Sequence, residues 1–206
     1  FEEVFFSTFE DDPDLNKKFK KYIQLILIKT KKEKYLSKNN YNFKRIPLLV
    51  NSFPNAKIVI PFREPLQQAF SMKKQHLNFK NKQDKDAFIT KYVNYLGHRE
   101  FGNSHLPWFE PILYEDLNDI NYWLEQWYLY YENILNAKLS NNCFVISYES
   151  MCEDKKKQHE ILEKLKVSNK TEFYFSNDKR IIDEKFDVKV YNKCLEIYKT
   201  LVKKYK

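Results

Sequence analysis

The residues that could do chemistry stand where two apolar runs give way to polar side chains. In residues 53–71, FPNAKIVIPFREPLQQAFS, the run Ile58-Val59-Ile60 leads to Arg63 and then Pro65, and Ser71 follows eight residues after the arginine. A short, wholly apolar run predicts a strand covered on both faces, as in a parallel sheet. Pro65 suits the first position of a helix, and Glu64 complements that helix's positive end. Arg63 then lies at the carboxyl end of a buried strand, the edge where open α/β sheets bind ligands. A guanidinium there could share an anion with the Ser71 hydroxyl, two turns into the helix. A second apolar run, Phe144 to Ser147, ends on Tyr148, which would share the same edge. Taken alone, the first stretch also fits a generic strand, turn and helix of any α/β protein.

The elements that must position these groups follow from periodicity. A helix with an acid-rich first turn is predicted from near Pro13, turning Leu15, Phe19, Tyr22, Ile23, Ile26 and Leu27 inward and ending before Lys38. A second, from about Asn42 to Ser52, packs Ile46, Leu49 and Val50 before Pro54 ends it. The helix holding Ser71 continues through Met72, His76 and Phe79, with His76 packed as a structural residue; a polar stretch, residues 80–85, separates it from a helix at about 86–96. Residues 97–116, GHREFGNSHLPWFEPILYED, carry both glycines of the chain, Gly97 and Gly102, with His98 and His105. So long an irregular stretch is either functional or a surface loop pinned by Trp108 and Phe109. The stripe Ile120, Trp123, Leu124, Trp127, Tyr128, Tyr131 and Ile134 has helical period and reads as core. Helices at about 155–166 and 188–203 close the chain.

At 206 residues the chain is long enough for one domain with a sizeable core, and 17% aromatic content argues against disorder. The net charge of +8 fits either an anionic partner or a solvated surface. The lysines are scattered, so a nucleic-acid partner is not expected. Three cysteines, Cys143, Cys152 and Cys194, show no metal-ligand spacing and require no oxidising compartment. No apolar run, the longest being YIQLILI near Tyr22, approaches bilayer length, which favours a cytoplasmic location. The chain begins at Phe1 and not at a methionine, which leaves targeting by a preceding segment open.

The run KNNYNFKRIPLLVNSFPNAKIVIPFREPLQQAFS resembles the sulfotransferases that use 3′-phosphoadenosine 5′-phosphosulfate (PAPS). That family carries a Lys-Asn/Ser-Pro element, an amphipathic helix, then FPDAKFI and R-D-P-x-x-x-x-x-S. Lys38 stands twenty-five residues before Arg63, as that pattern requires, although Asn40 replaces the usual proline and the loop is expected to be less rigid. FVISYESM is similar to the family's later strand ending in Tyr-Glu-Asp. The resemblance covers roughly Lys34 to Asp154. It implies an α/β, three-layer, P-loop-transferase-like fold with a central parallel sheet flanked by helices.

By the same resemblance, Arg63 and Ser71 bind the cofactor's 3′-phosphate, Tyr148 contacts adenine, and a basic loop bearing Lys179 and Arg180 closes the phosphate site. Lys38 would stand beside the sulfuryl group, unless it is a plain exposed lysine. The family's phosphate loop, similar to P-K-S/T-G-T-T/S, occurs nowhere in these residues. The chain is therefore expected to be a single sulfotransferase-like domain lacking the N-terminal strand and that loop. Glu2 or Glu3 is the first candidate for the base that deprotonates an acceptor hydroxyl or amine, and His105 the second. The acceptor would be a small molecule or a glycan, with 3′-phosphoadenosine 5′-phosphate as the product and no metal required. An inactive anion-binding module of the same fold and a P-loop small-molecule kinase remain as other readings.

Overall fold

The computed structural model describes residues 2–167 and 179–205. They fall into two compact units, residues 1–56 with 78–106, and residues 57–77 with 107–206.

The first unit is helical. It contains α1 (Glu2–Thr8), α2 (Leu15–Thr30), a 3₁₀ turn (Asn40–Arg45), α3 (Ile46–Ser52), the distal part of α4 (Pro65–Lys85) and α5 (Ala87–Tyr95). Its core is an aromatic cluster in which Phe6 and Phe19 are buried, with ring centroids 4.7 Å apart and Phe53 set edge-on to Phe19 at 5.9 Å. Such contacts add to the area that the rings bury. The acids expected in the first turn of α2 precede it instead: Asp12 accepts the Asp14 N–H at 2.8 Å and pairs with Lys18, building the turn before the helix. The predicted helix 42–52 starts with the 3₁₀ turn because the Asn39 side chain accepts from the Tyr41 N–H at 2.9 Å. Regular helix begins only where Pro47 fits the first turn. The polar stretch 80–85 does not separate two helices, since α4 runs unbroken to Lys85 and Asp86 then caps α5. Residues 1–8, for which no element was predicted, include a seven-residue helix.

The second unit holds β1 (Ile58–Phe62), the start of α4, α6 (Ile120–Asn136), β2 (Cys143–Ser147), α7 (Tyr148–Glu153), α8 (Lys155–Lys164) and α9 (Val188–Lys204). The two strands pair in parallel, with Ile58 opposite Cys143 and Phe62 opposite Ser147. Among the described residues this is the whole sheet, within a mostly helical α/β structure. The expectation that the first strand is covered on both faces does not hold. Ile60 and Phe62 are buried, whereas Val59 is 37% exposed and Pro61 is exposed, so β1 is half-buried with period two. The stripe on α6 is core as its spacing predicts, with Trp123, Trp127 and Tyr131 all at 2% exposure or less, packed with α9, whose Cys194 and Leu201 are fully buried. Glu125 and Gln126 on the same helix are also buried, because they hold the segment that precedes it. Glu125 accepts the Leu113 and Tyr114 N–H groups at 2.8 and 3.1 Å, and Gln126 accepts that of Trp108 at 2.8 Å. Among the described residues no helix is long and apolar enough to cross a membrane.

Buried Tyr131 ties α6 to β1 by donating to the Pro61 carbonyl at 2.8 Å. Tyr131→Phe keeps the ring and strands that carbonyl, so it should lower unfolding free energy by about 1–3 kcal/mol. Urea denaturation measures this, and a change under about 0.5 kcal/mol, the range of ordinary surface substitutions, would show that the bond is not needed.

Candidate functional site

In the second unit the strand ends bring polar groups to one edge. Directly after the paired residues Phe62 and Ser147 come Arg63 and Tyr148, and the Arg63 guanidinium carbon lies over the Tyr148 ring, 4.9 Å from its centroid. The backbone at this edge is fixed by side chains. The Arg63 N–H donates to Gln68 Oε1 at 3.1 Å, and the Glu64 N–H donates to Glu149 Oε1 at 2.8 Å. Gln68 Oε1 also accepts from Trp127 Nε1 at 3.0 Å, and its Nε2 donates to the Tyr131 hydroxyl at 3.1 Å. Glu64 caps α4, its two carboxylate oxygens accepting the Leu66 and Gln67 N–H groups at 3.2 and 2.8 Å. Pro65 has no N–H to offer.

Ser71, one turn beyond Gln67 on α4, accepts from Arg180 Nη1 at 3.3 Å. Of the predicted basic segment 171–186, only residues 179–186 lie within the described residues. There Arg180 is joined to α4, while Lys179 is exposed. The structure thus pairs Arg63 with Tyr148 and Ser71 with Arg180, both pairs anchored by α4. Cys152, two residues before the Asp154 cap of α8, is a free thiol pushed up by burial, with a hydrogen bond from Tyr148 opposing that shift.

The other predicted site residues belong to the first unit. Glu2 accepts from Tyr35 (2.5 Å), Ser37 (2.7 Å) and Asn39 (3.2 Å). Burial, followed by the bond to Glu2, pushes the Tyr35 phenol well above its ordinary range. Glu3 forms a bidentate pair with Arg45, at 2.5 and 2.7 Å, and Arg45 in turn stacks 3.9 Å from the Phe6 ring centroid. Burial alone would raise the Glu3 carboxyl; hydrogen bonds from Arg45 and Asn39, with the Arg45 charge, outweigh it and hold the group below its usual value. Gly97, at φ +70°, lets α1 approach, since a Cβ there would stand 3.1 Å from that of Glu3.

Exposed Lys38 donates to Asn40 Oδ1 at 2.8 Å, and Asn40 Nδ2 donates to the buried Glu100 carboxylate at 3.3 Å. His98 Nδ1 lies 3.4 Å from the same carboxylate. His105 Nδ1 is 2.7 Å from the Glu100 carbonyl oxygen, a bond in which only the ring can donate, so Nε2 is the basic nitrogen of that tautomer. His76 is buried with its ring 5.4 Å from that of Trp123, the packed position its apolar neighbours imply.

Sequence reasoning missed Gln67, Gln68 and Glu100, and it named Asn40 and Glu149 only as motif positions, without their partners. The two glutamines lie between the motif residues Arg63 and Ser71, and that adjacency is the one signal that points to them. Nothing in the spacing marks Glu100 as buried.

Parallel strands whose carboxyl ends present arginine and tyrosine, followed by a helix bearing a serine joined to a second arginine, bring cationic and hydroxyl donors to the edge where open α/β sheets bind ligands. Residues 6–105 match the model of the Sulfotransferase family, and over that stretch the chain carries a sulfotransferase-family sequence. The match includes Lys38, Arg63, Ser71 and His105, and ends before Tyr148 and Arg180. No curated protein and no solved structure matches the chain.

The depressed Glu3 carboxyl makes stability pH-dependent with a definite sign. Its contribution is fully present above the ordinary glutamate value of 4.5 and is lost as pH falls through the lower folded value. Wild type should therefore lose more stability than Glu3→Gln when urea midpoints are compared from about pH 6 down to about pH 3, the range in which glutamates titrate. Parallel curves would show that the pair contributes nothing.

Proposed function

We propose that the chain belongs to an enzyme that moves a sulfuryl group from PAPS to a hydroxyl or amine acceptor, a small molecule or a glycan. The observation that carries this is the donor-bearing strand edge, with Arg63 at the end of β1 and Ser71 joined to Arg180 on the following helix. It lies partly within the family match. The donor set suits the cofactor: two guanidiniums and a hydroxyl for a phosphate monoester, and a tyrosine ring for a planar base. Arg63, Ser71 and Arg180 would hold the 3′-phosphate, Tyr148 the adenine, and Lys179 would add charge from solvent. PAPS supplies the sulfuryl group and leaves as the 3′,5′-bisphosphate. On this reading β1 and β2 belong to a three-layer parallel sheet of one P-loop-type domain, and a loop not found in this sequence grips the 5′-phosphosulfate.

Among the proposed bases, Glu3 is held ionised by Arg45 and Glu2 already accepts from three donors, so both serve better as anchors of the segment 35–45. His105, its tautomer set by the Glu100 carbonyl, is the better proton acceptor. Lys38 is the proposed cation on the sulfuryl side, positioned by Asn40. The engagement of both glutamates also favours a second reading, an anion-binding module of this fold without turnover.

Calorimetric titration with 3′-phosphoadenosine 5′-phosphate and with adenosine 5′-phosphate tests the assignment. Arg63→Ala should weaken the bisphosphate about tenfold to a hundredfold, from the roughly 1.5–3 kcal/mol of a charged hydrogen bond, and leave the monophosphate nearly unchanged. Ser71→Ala should cost less. Equal losses for both ligands would mean that Arg63 supports the fold and does not read the phosphate.

A further inference from the structure

Arg180 is an exposed residue on an irregular segment, yet both of its main-chain polar groups are paired with a single side chain. Gln67 Oε1 accepts the Arg180 N–H at 3.0 Å, and Gln67 Nε2 donates to the Arg180 carbonyl at 2.9 Å. One amide thereby does for Arg180 what a neighbouring strand does for a residue in a sheet: it fixes the backbone from which the side chain departs. Gln67 and Ser71 are one helical turn apart on α4 and so share a face. The arginine backbone docks on the first and its guanidinium reaches the second, at 3.3 Å, passing 5.9 Å from the centre of the Phe70 ring.

Further along the same segment, Glu184 pairs with Lys73 of α4 at 2.5 Å, and Asp187 is held by its N–H to Asn121 at 2.7 Å and by the Tyr114 hydroxyl at 2.7 Å. Those contacts bring the segment to the helices but leave the position of Arg180 to Gln67. The backbone groups of the α4 start do not compete for an anion here, because the Glu64 carboxylate already takes the Leu66 and Gln67 N–H groups. Anion binding beside Ser71 must therefore come from side chains held in place beforehand, and preorganisation of a donor is what limits the loss of freedom on binding.

We infer that Gln67 is a positioning residue for phosphate recognition: its amide latches the Arg180 backbone so that the guanidinium is held at Ser71 before any ligand arrives. This rests on the reading that the anion bound at Ser71 is the 3′-phosphate of an adenosine bisphosphate.

The test combines titration of the whole chain with amide hydrogen exchange of the unliganded protein. The ligands are 3′-phosphoadenosine 5′-phosphate and adenosine 5′-phosphate, applied to wild type, Gln67→Ala, Gln67→Glu, Arg180→Ala and the Gln67→Ala/Arg180→Ala double variant. Gln67→Ala should lower the preference for the bisphosphate about tenfold, the scale of one lost charge-assisted bond. Arg180→Ala should lose as much, and the double variant no more than either, because the two residues act as a unit. The Arg180 amide should exchange faster in Gln67→Ala, with monophosphate affinity unchanged as a control on folding. Gln67→Glu keeps an acceptor for the Arg180 N–H but sets a carboxylate oxygen against the Arg180 carbonyl, so it should also lose preference. If both Gln67 variants keep the wild-type preference while Arg180→Ala loses it, the latch is overturned and the phosphate reading stands. If wild type itself shows no preference for the bisphosphate, the phosphate reading fails and the latch fails with it.

Discussion

The Glu149 carboxylate holds the exits of the two strands together. It accepts the Glu64 N–H at 2.8 Å from the chain leaving β1, while the Ser147 hydroxyl and the Tyr198 hydroxyl, at 3.1 and 3.2 Å, bind its other oxygen. A parallel pair of five-residue strands has few ladder bonds of its own. Its carboxyl ends would fray unless something beyond the last ladder bond held the two exits side by side. Glu149 does this from the first turn of α7, where a carboxylate is also favoured by the helix dipole. The phenol that supports it is kept protonated, because burial and the nearby carboxylate push Tyr198 well above its ordinary range. Arg63 and Tyr148 each immediately precede one member of this lock, Glu64 and Glu149, so their pairing is a consequence of it.

A second carboxylate decides how the edge can meet an anion. Helix starts often bind phosphates through bare N–H groups, but Glu64 occupies those of α4 and is itself bonded by Tyr191 at 2.9 Å. The helix start is already neutralised. The donors left at the edge are side chains, chiefly the guanidiniums of Arg63 and Arg180, which are planar and directional. A site built this way reads geometry, because each donor has to be placed, and the two adjacent glutamines of α4 do the placing. Gln68 turns into the core and fixes the Arg63 backbone, while Gln67 turns outward and fixes that of Arg180.

Much of this was legible in the sequence, and what was not has physical causes. The two strands, their parallel sense, and the helices of α6 and α9 follow from apolar runs and period, since each buries a continuous face. The strand β1 misleads because its outward residues Val59 and Pro61 are apolar, which erases the alternation that marks a half-buried strand. The polar stretch 80–85 misleads in the opposite sense. Lysine, glutamine and asparagine continue a helix at little cost when the solvent face needs no apolar residues, although Gln83 within it is buried. Arg63, Ser71 and Tyr148 stand out as candidates by type and position and Glu64 as a helix-start acid, whereas the partners of Gln67, Gln68 and Glu149 could not be read, because the partner of a side-chain amide or carboxylate is set by tertiary contact.

Asn40 shows what such a contact adds to an inference from residue type. Reading an asparagine in place of a proline predicts a looser loop, because the fixed φ of the ring is lost. Here two side-chain amides add hydrogen bonds to the same turn. Asn39 caps the 3₁₀ turn through the Tyr41 N–H and ties back to Glu3 at 2.5 Å. Asn40 joins Lys38 on one side to buried Glu100 on the other. A pyrrolidine would stiffen the backbone but could do neither. The exposed bond to Lys38 is weak by itself, as solvent-exposed polar contacts are. Its value lies in direction, since the buried Glu100 carboxylate sets where the amide points, and the amide sets where the ammonium rests.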